Sequence, residues 1–236
     1  MAARLFPKDL LVPSAFQIWP MGQLIGGGAA LAGPGQTVDW SAGGWWGGQL
    51  GDIRVSQPDQ HRTLRALLMH ASNGGEIVMP IIDDPQRPMA DPSLPMGRAR
   101  FNDGSTFSDG SSFLSRRIVF DLAEPAQEGD TEIRIRREPG QSRPLLGGEY
   151  WSFEHPEAGH RLYCIEDLDE ENAHGVRAVK FGVPLRTDLP LGVFADFEAP
   201  RLTMRMVGDP KEVWPVIRRP FRSDVTIRLV ESFDYL

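Results

Sequence analysis

Hydrophobic and polar residues alternate along much of the chain, as they do in β-strands whose two faces meet different surroundings. Ile133 and Ile135, for example, alternate with Arg134 and Arg136. Segments with this pattern, or with a short apolar run, predict strands at 15–19, 50–55, 76–82, 118–122, 133–136, 150–153, 161–165, 176–183, 202–206 and 225–229. Turn residues separate these segments, so the predicted fold is mainly β, a β-sandwich or barrel.

One segment has helical spacing instead. Within Pro58–Ser72, apolar residues recur at i, i+3, i+4 and i+7, and these residues are Leu64, Leu67, Leu68 and Ala71. Ser56 is the predicted N-cap, and Pro58 suits the first turn. Asn73-Gly74-Gly75 predicts the end of the helix, because Gly adopts the left-handed conformation at little cost. The sequence therefore predicts one amphipathic helix that flanks the β-structure.

Two stretches fit neither pattern. Residues 10–48 are rich in Gly and Trp, carry no charge from Leu10 to Val38, and predict an extended arm. Residues 83–115 contain several Pro and the turn signals Asp103-Gly104 and Asp109-Gly110, which predict a long loop or hairpin insertion. Because no composition change marks a linker, we expect a single β-sandwich-type domain over residues 1–236.

Composition and charge exclude some classes of function. The formal net charge is −7 and the isoelectric point about 5.3, and the Arg residues are scattered rather than clustered. A nucleic-acid-binding surface needs a basic patch, so we expect no nucleic-acid recognition. The single cysteine, Cys164, excludes an intrachain disulfide, and its apolar neighbours predict a buried thiol.

The uncharged stretch from Leu10 to Val38 raises the question of a membrane segment. Pro residues and the run Gly26-Gly27-Gly28 interrupt it, and a membrane helix needs about 20 apolar residues that remain helical. We therefore expect neither a membrane span nor a secretory signal.

Sequence motifs for catalysis or metal binding are weak. The densest group of metal-ligand residue types consists of Glu154, His155, Glu157 and His160, and Pro156 and Gly159 lie between them. Pro156 and Gly159 favour a polar hairpin turn there over a zinc site. Asp103 and Asp109 lack the spacing of a calcium-binding loop, and a plain turn is favoured at each. No Gly-x-Ser-x-Gly motif or phosphate-binding loop is present, so we expect no catalytic residues, cofactor or metal.

Aromatic residues in Gly-rich and polar segments are the candidate contact residues. They are Trp45, Trp46, Phe101, Phe107 and Phe113. Trp is enriched in protein interfaces, so we expect these residues to lie at a subunit interface. The alternative is a carbohydrate-binding module in which Trp45 and Trp46 stack on sugar rings.

The order of segments resembles that of tail-tip structural proteins of long-tailed, siphovirus-type bacteriophages, the group that includes distal tail proteins. A Gly- and Trp-rich start is followed by the helix at Pro58–Ser72, an apolar strand and the long loop. The segments that follow the loop are Gly147-Gly148-Glu149-Tyr150-Trp151-Ser152-Phe153, Arg161-Leu162-Tyr163, Pro184-Leu185-Arg186 and Val225 to Phe233.

The resemblance implies a β-sandwich flanked by one helix, close to the fold of the tail-tube subunit. It implies a non-enzymatic virion protein, made in the host bacterial cytoplasm, that assembles as a hexameric ring. That ring would link the tail tube protein to the hub or baseplate. Loops such as 83–115, and the arm, would grip neighbouring subunits.

Overall fold

The computed structural model describes residues 3–22, 24–27, 36–39, 44–81, 97–99, 113–115, 119–137, 144–155, 158–209, 213–214 and 223–233. In chain order the elements are β1 (Arg4–Leu5), β2 (Ala15–Met21), β3 (Leu24–Gly27), β4 (Gln36–Asp39), β5 (Trp45–Val55), α1 (Pro58–Ser72), β6 (Ile77–Pro80), β7 (Gly97–Ala99), β8 (Phe113–Ser115), β9 (Val119–Leu122), β10 (Glu132–Arg137), β11 (Tyr150–His155), β12 (Gly159–Leu168), β13 (Val176–Phe181), β14 (Phe194–Asp196), β15 (Arg201–Val207) and β16 (Ser223–Glu231).

The chain divides into two compact units, where we expected a single domain. Unit 1 comprises Met1–Ile82, Ala158–His160 and Arg201–Leu236, and unit 2 comprises Asp83–Glu157 and Arg161–Pro200. The chain therefore leaves unit 1 after β6, rejoins it for the three residues Ala158–His160, and returns to it at β15. Because unit 2 is inserted within the sequence of unit 1, no stretch of linker composition marks the boundary between them.

Unit 1 is built on a six-stranded sheet with the order β1-β6-β15-β16-β5-β2. Only the β1–β6 pair is parallel, and the remaining pairs are antiparallel. The register of β16 on β5 shifts between Val225 and Ile227, next to Asp52, whose φ is 52°. A β-bulge of this kind adds one residue to one strand and breaks the alternation of its side chains locally. The bulge lies after Leu50, so the side chains of β5 alternate between the two faces of the sheet without interruption from Trp45 to Leu50.

Helix α1 forms where the sequence predicts it, with the same bounds. Its first turn is closed by the Gln60 Oε1 atom, which accepts hydrogen bonds from the backbone N–H groups of Ser56 and Gln57 at 2.9 and 3.1 Å. Gln57, not Ser56, is the N-cap. At the other end Gly74 has a φ of 75°, which only Gly adopts without strain. The buried side of α1 includes Leu64, Leu67 and Leu68.

Unit 2 contains a closed six-stranded barrel with the order β10-β13-β12-β11-β14-β9. The barrel interior is filled by a cluster of buried side chains centred on Trp151. The Trp151 indole stacks on Tyr163 at 4.6 Å between centroids and meets Phe153 and Phe181 edge-on at 4.8 and 5.2 Å. These offset and T-shaped arrangements are the favourable geometries for aromatic pairs. Closure of the barrel leaves this sheet without an edge strand.

The predicted fold class is confirmed: the protein is mainly β, with a closed barrel, a second sheet and a flanking helix. The expected arm over residues 10–48 is different in detail, since Ala15–Met21 and Trp45–Val55 are paired strands of the unit 1 sheet. Between them, β3 pairs with β4, so the segment is a hairpin nested within a hairpin. In the expected loop over residues 83–115, Gly97–Ala99 pairs with Phe113–Ser115.

Candidate functional site

The neighbouring residues Trp45 and Trp46 lie on opposite faces of the unit 1 sheet. Trp46 is 2% exposed and belongs to the core, and its backbone N–H donates a hydrogen bond to Glu231 Oε2 at 3.0 Å. Trp45 is half-buried. Because side chains alternate along a strand, two adjacent residues cannot share one face. The structure therefore removes Trp46 from the expected interface and leaves Trp45.

The two glycines that follow confirm this division of the faces. A Cβ atom on Gly48 would lie 3.2 Å from the Met204 Cε atom, on the core side of the sheet. A Cβ atom on Gly47 would lie 2.5 Å from Met21 Sδ and 3.1 Å from Trp19 Cε2. Trp19 and Met21 therefore pack across the bare backbone of Gly47, on the face opposite the core. We call this the outer face.

Strand register places further side chains beside them. In one row across the sheet, Trp19 lies opposite Gly47, then Val230, then Arg205. Adjacent rows pair Met21 with Trp45, and Gln17 with Gln49, Arg228 and Val207. We define the outer-face patch by the side chains of these rows, namely Gln17, Trp19, Met21, Trp45, Gln49, Arg205, Val207, Arg228 and Val230.

The patch is apolar, cationic and accessible. Trp19 is 39% exposed, Met21 is 36% exposed and Val207 is 48% exposed, although each is large and hydrophobic. Arg228 is exposed and Arg205 half-buried, and these rows contain no Asp or Glu. Trp, Met and Arg are enriched in the contact surfaces of proteins, whereas Lys, Glu and Asp are depleted. The composition of the patch is thus that of an interface.

Strand β2 is also one end of the sheet, since it pairs with β5 and with no other described strand. An edge strand has backbone N–H and C=O groups that face away from the sheet. Pro20 removes one of the donors, which is a common way of limiting uncontrolled pairing at an edge. The patch therefore borders a strand edge that can pair with another strand, although Pro20 offers that strand no N–H donor.

The side chains of the remaining predicted contact residues, Phe101, Phe107 and Phe113, are not described by the structure. Phe101 and Phe107 lie outside the described residues, as do Asp103 and Asp109 of the expected turns. Phe113 begins strand β8, and its side chain is not described. Sequence reasoning missed Trp19. The spacing of two residues places Trp19 on the same strand face as Gln17 and Met21, and this was visible in the sequence. Its position over Gly47 depends on the register of β2 on β5.

Of the residues considered as metal ligands, the described ones (Glu154, His155 and His160) do not form a metal site. His155 is buried, with one ring nitrogen 2.5 Å from Thr187 Oγ1 and the other 2.8 Å from the Tyr163 hydroxyl. Glu154 points to solvent, and Glu157 is outside the described residues. Among described side chains, no group of three or more His, Cys, Asp or Glu could hold a metal ion.

Burial and charge keep His155 neutral. The pKa of His155 is lowered from 6.5 to about 3. The largest cause is desolvation of the buried ring, and the positive charges of Arg161 and Arg186 lower the pKa further. A neutral imidazole can donate from one nitrogen and accept at the other, and two hydroxyl partners satisfy both. The cluster of His155, Tyr163 and Thr187 is thus a buried polar network of unit 2.

Cys164, expected to be buried, is half-buried on β12. Within the described ranges, no helix combines the length and the apolar character that crossing a membrane requires. No protein-family model matches the chain, and no curated protein matches it.

Proposed function

We propose that the protein is a non-enzymatic structural component of a phage tail tip, assembling as a hexameric ring that links the tail tube to the hub. The observation that carries this proposal is the outer-face patch. Trp19 is 39% exposed and shares the outer face with Met21 and two Arg residues, and this combination is the composition of a surface buried on assembly.

Two short strand pairs support the same function. β3–β4 and β7–β8 are two-stranded sheets with at most four residues per strand, and neither pairs with another described strand. A two-stranded sheet is marginally stable in water unless it packs on something else. Hairpins that become fully stable only against a neighbour suit a subunit of an assembly.

The order of segments in the sequence adds to the case. It resembles that of distal tail proteins, which implies a β-rich ring subunit and no catalytic residues. The buried network around His155 is consistent with this, because its ring nitrogens are occupied by Tyr163 and Thr187. That network supports a structural role for His155 within unit 2.

The test is assembly of Trp19→Ala. Light scattering over a concentration series, with negative-stain images of the largest species, should show rings for the wild-type protein. We expect Trp19→Ala to lose the rings, because truncating a central aromatic anchor removes much of the binding energy of an interface. Its circular dichroism spectrum should be unchanged, since Trp19 lies outside the core.

Trp214→Ala is the matched control. Trp214 is also 39% exposed and lies outside the patch, so its truncation removes the same side chain at the same exposure. Rings that persist in Trp19→Ala, or that vanish equally in Trp214→Ala, would contradict an assembly role for the outer-face patch.

A second candidate function is carbohydrate binding on the same surface. The observation that favours it is the combination of Trp19 and Trp45 with Gln17, Gln49 and Arg228. Indole rings stack on sugar faces, and planar polar side chains bond hydroxyl groups. On a glycan array, binding that Trp19→Ala abolishes and Trp214→Ala retains would establish this function. An array without wild-type binding would eliminate it.

A further inference from the structure

Unit 2 carries a dense acidic segment where β12 passes into β13. Glu166, Asp167, Asp169 and Glu170 are exposed, and Glu171 is half-buried. A nearby cation, Lys180, lies 3.9 Å from Asp169, but both side chains are largely accessible to solvent. An exposed pair of that kind contributes little. The exposed carboxylates of Glu166, Asp167 and Glu170 therefore give this segment a negative surface.

Hydrogen bonds hold the acidic segment in a defined shape. Asp169 N donates to Ala178 O at 3.1 Å, which continues the pairing of β12 with β13. Asn172 Oδ1 accepts from the backbone N–H groups of His174 and Val176 at 2.9 and 3.0 Å, which closes the turn. Because the backbone is already ordered, binding through this segment would lose little conformational entropy.

An exposed apolar side chain lies beside the acidic residues. Gly148 N donates to Ile165 O at 2.7 Å, and Ile165 N donates to Glu149 O at 2.9 Å. These bonds place the 146–149 segment alongside Glu166, and Leu146 there is 58% exposed. The register of β12 on β13 shifts between Ile165 and Asp167, so strand alternation is broken there and both Glu166 and Asp167 are exposed. We define the acidic face as Leu146 together with Glu166–Glu171. It pairs an apolar residue with negative charge, as the outer-face patch pairs apolar residues with positive charge.

We infer that the acidic face of one copy binds the outer-face patch of a second copy. The inference rests on the proposed function and names the partner of its patch. The argument is complementarity: the patch has Arg205 and Arg228 and no acidic residue, and the acidic face has five acidic residues. Two different surfaces that bind head to tail form a heterologous contact, and such contacts generate rings when the rotation closes.

The two kinds of side chain contribute differently. Burial of Trp19 and Met21 against Leu146 supplies affinity, because it removes apolar surface from water. The charges supply orientation and a fast encounter rather than much affinity. In a closed ring every subunit makes two such contacts, so a weak single contact suffices for a stable assembly. Because salt screens the attraction between the two charged surfaces, assembly should weaken as the salt concentration rises.

A charge-reversal exchange tests the pairing. One variant carries Arg228→Glu in the patch, and the other carries Glu166→Lys with Glu170→Lys in the acidic face. Each alone places like charges in contact, so we expect the concentration for half-maximal assembly to rise about tenfold or more. Arg62→Glu on α1 and Glu128→Lys in the turn before β10 are controls that change charge at exposed positions outside the two surfaces.

Mixing the two variants is the decisive step. In the mixture the Glu at position 228 meets the Lys residues of the other variant, and the unaltered surfaces also match. We expect the mixture to assemble, with the two variants alternating around the ring. If the mixture fails to assemble, as each variant alone does, although both variants have native circular dichroism spectra, the proposed pairing is wrong.

The outcomes separate the partner from the function. If the acidic-face variant forms rings like the wild type while Trp19→Ala does not, the patch assembles with another surface and only the inference fails. If the wild-type protein forms no rings at any concentration, both the inference and the proposed ring fail.

Discussion

The two units bury their aromatic residues in different ways. Unit 2 closes its six strands into a barrel and stacks Trp151 against Tyr163 in the interior. Unit 1 leaves its sheet open at β2 and keeps Trp19 on the outer face, where it is 39% exposed. A closed barrel satisfies its own backbone, whereas an open sheet retains an edge and a second face. The open sheet of unit 1 therefore offers an edge strand and an accessible aromatic side chain for binding.

The same substitution in the two units should have opposite consequences, and this is the largest effect we predict. Trp151→Ala removes a fully buried ring that contacts Phe153, Tyr163 and Phe181. We expect it to lower the free energy of unfolding by about 3–5 kcal/mol, because a cavity replaces the indole. Denaturant unfolding followed by near-UV circular dichroism measures the loss.

Trp19→Ala is the comparison. Its side chain is outside the core, so its effect on the free energy of unfolding should stay below about 1 kcal/mol while assembly is lost. If Trp19→Ala destabilised the protein as much as Trp151→Ala, the outer face would be part of the core and the contrast between the units would be wrong.

The buried network of unit 2 should add a pH dependence. His155 has a pKa of about 3 in the folded protein and about 6.5 when unfolded, so the unfolded chain binds its proton first as pH falls. Stability from this group is complete above about pH 6.5 and is lost as pH falls toward 3. The slope is at most about 1.4 kcal/mol per pH unit.

The measurement is the free energy of unfolding at several pH values for wild type and His155→Gln. The variant should be less stable at pH 7, since it loses a hydrogen bond to Tyr163 or Thr187, but its stability should fall less between pH 6 and 4. Equal slopes in wild type and His155→Gln would show that His155 is not the group responsible.

Local patterns predicted the helix and most strands, and long-range contacts explain what they missed. Helix α1 was predictable because its apolar spacing and its Gly stop are local. The strand at Trp45–Val55 was predicted only from Leu50, because Gly47 and Gly48 interrupt the hydrophobic alternation. Had that alternation been extended to Trp46, the separation of Trp45 from Trp46 would have followed.

Register and closure could not be predicted in this way. The position of Trp19 opposite Gly47 depends on the pairing of β2 with β5, strands nearly thirty residues apart in the sequence. The barrel depends on β9 meeting both β10 and β14, and β14 begins over seventy residues after β9. Pairings of this range leave no periodic signal in either strand, so the number of units was also not apparent.

The smallest effect on stability should come from the glycine under the patch. In Gly47→Ala the new methyl group would crowd Met21 Sδ, at 2.5 Å, and Trp19 Cε2, at 3.1 Å. Met21 is flexible and exposed, so it can move, and we expect a cost of no more than about 1 kcal/mol in unfolding free energy. Displaced from the backbone, Trp19 and Met21 would no longer present one surface, and the concentration for half-maximal assembly should rise.

Gly51→Ala separates the patch from the strand that carries it. Gly51 is on the same strand and lies outside the patch, and an added Cβ atom would lie 3.3 Å from the Ala15 Cβ atom and 3.7 Å from the Ala15 carbonyl oxygen. Both substitutions add a methyl group to β5, so their effects on folding should be similar and small, whereas only Gly47→Ala should weaken assembly in light scattering. Equal assembly in the two variants would mean that the open sheet binds through its edge alone. The outer face would then not be the contact surface.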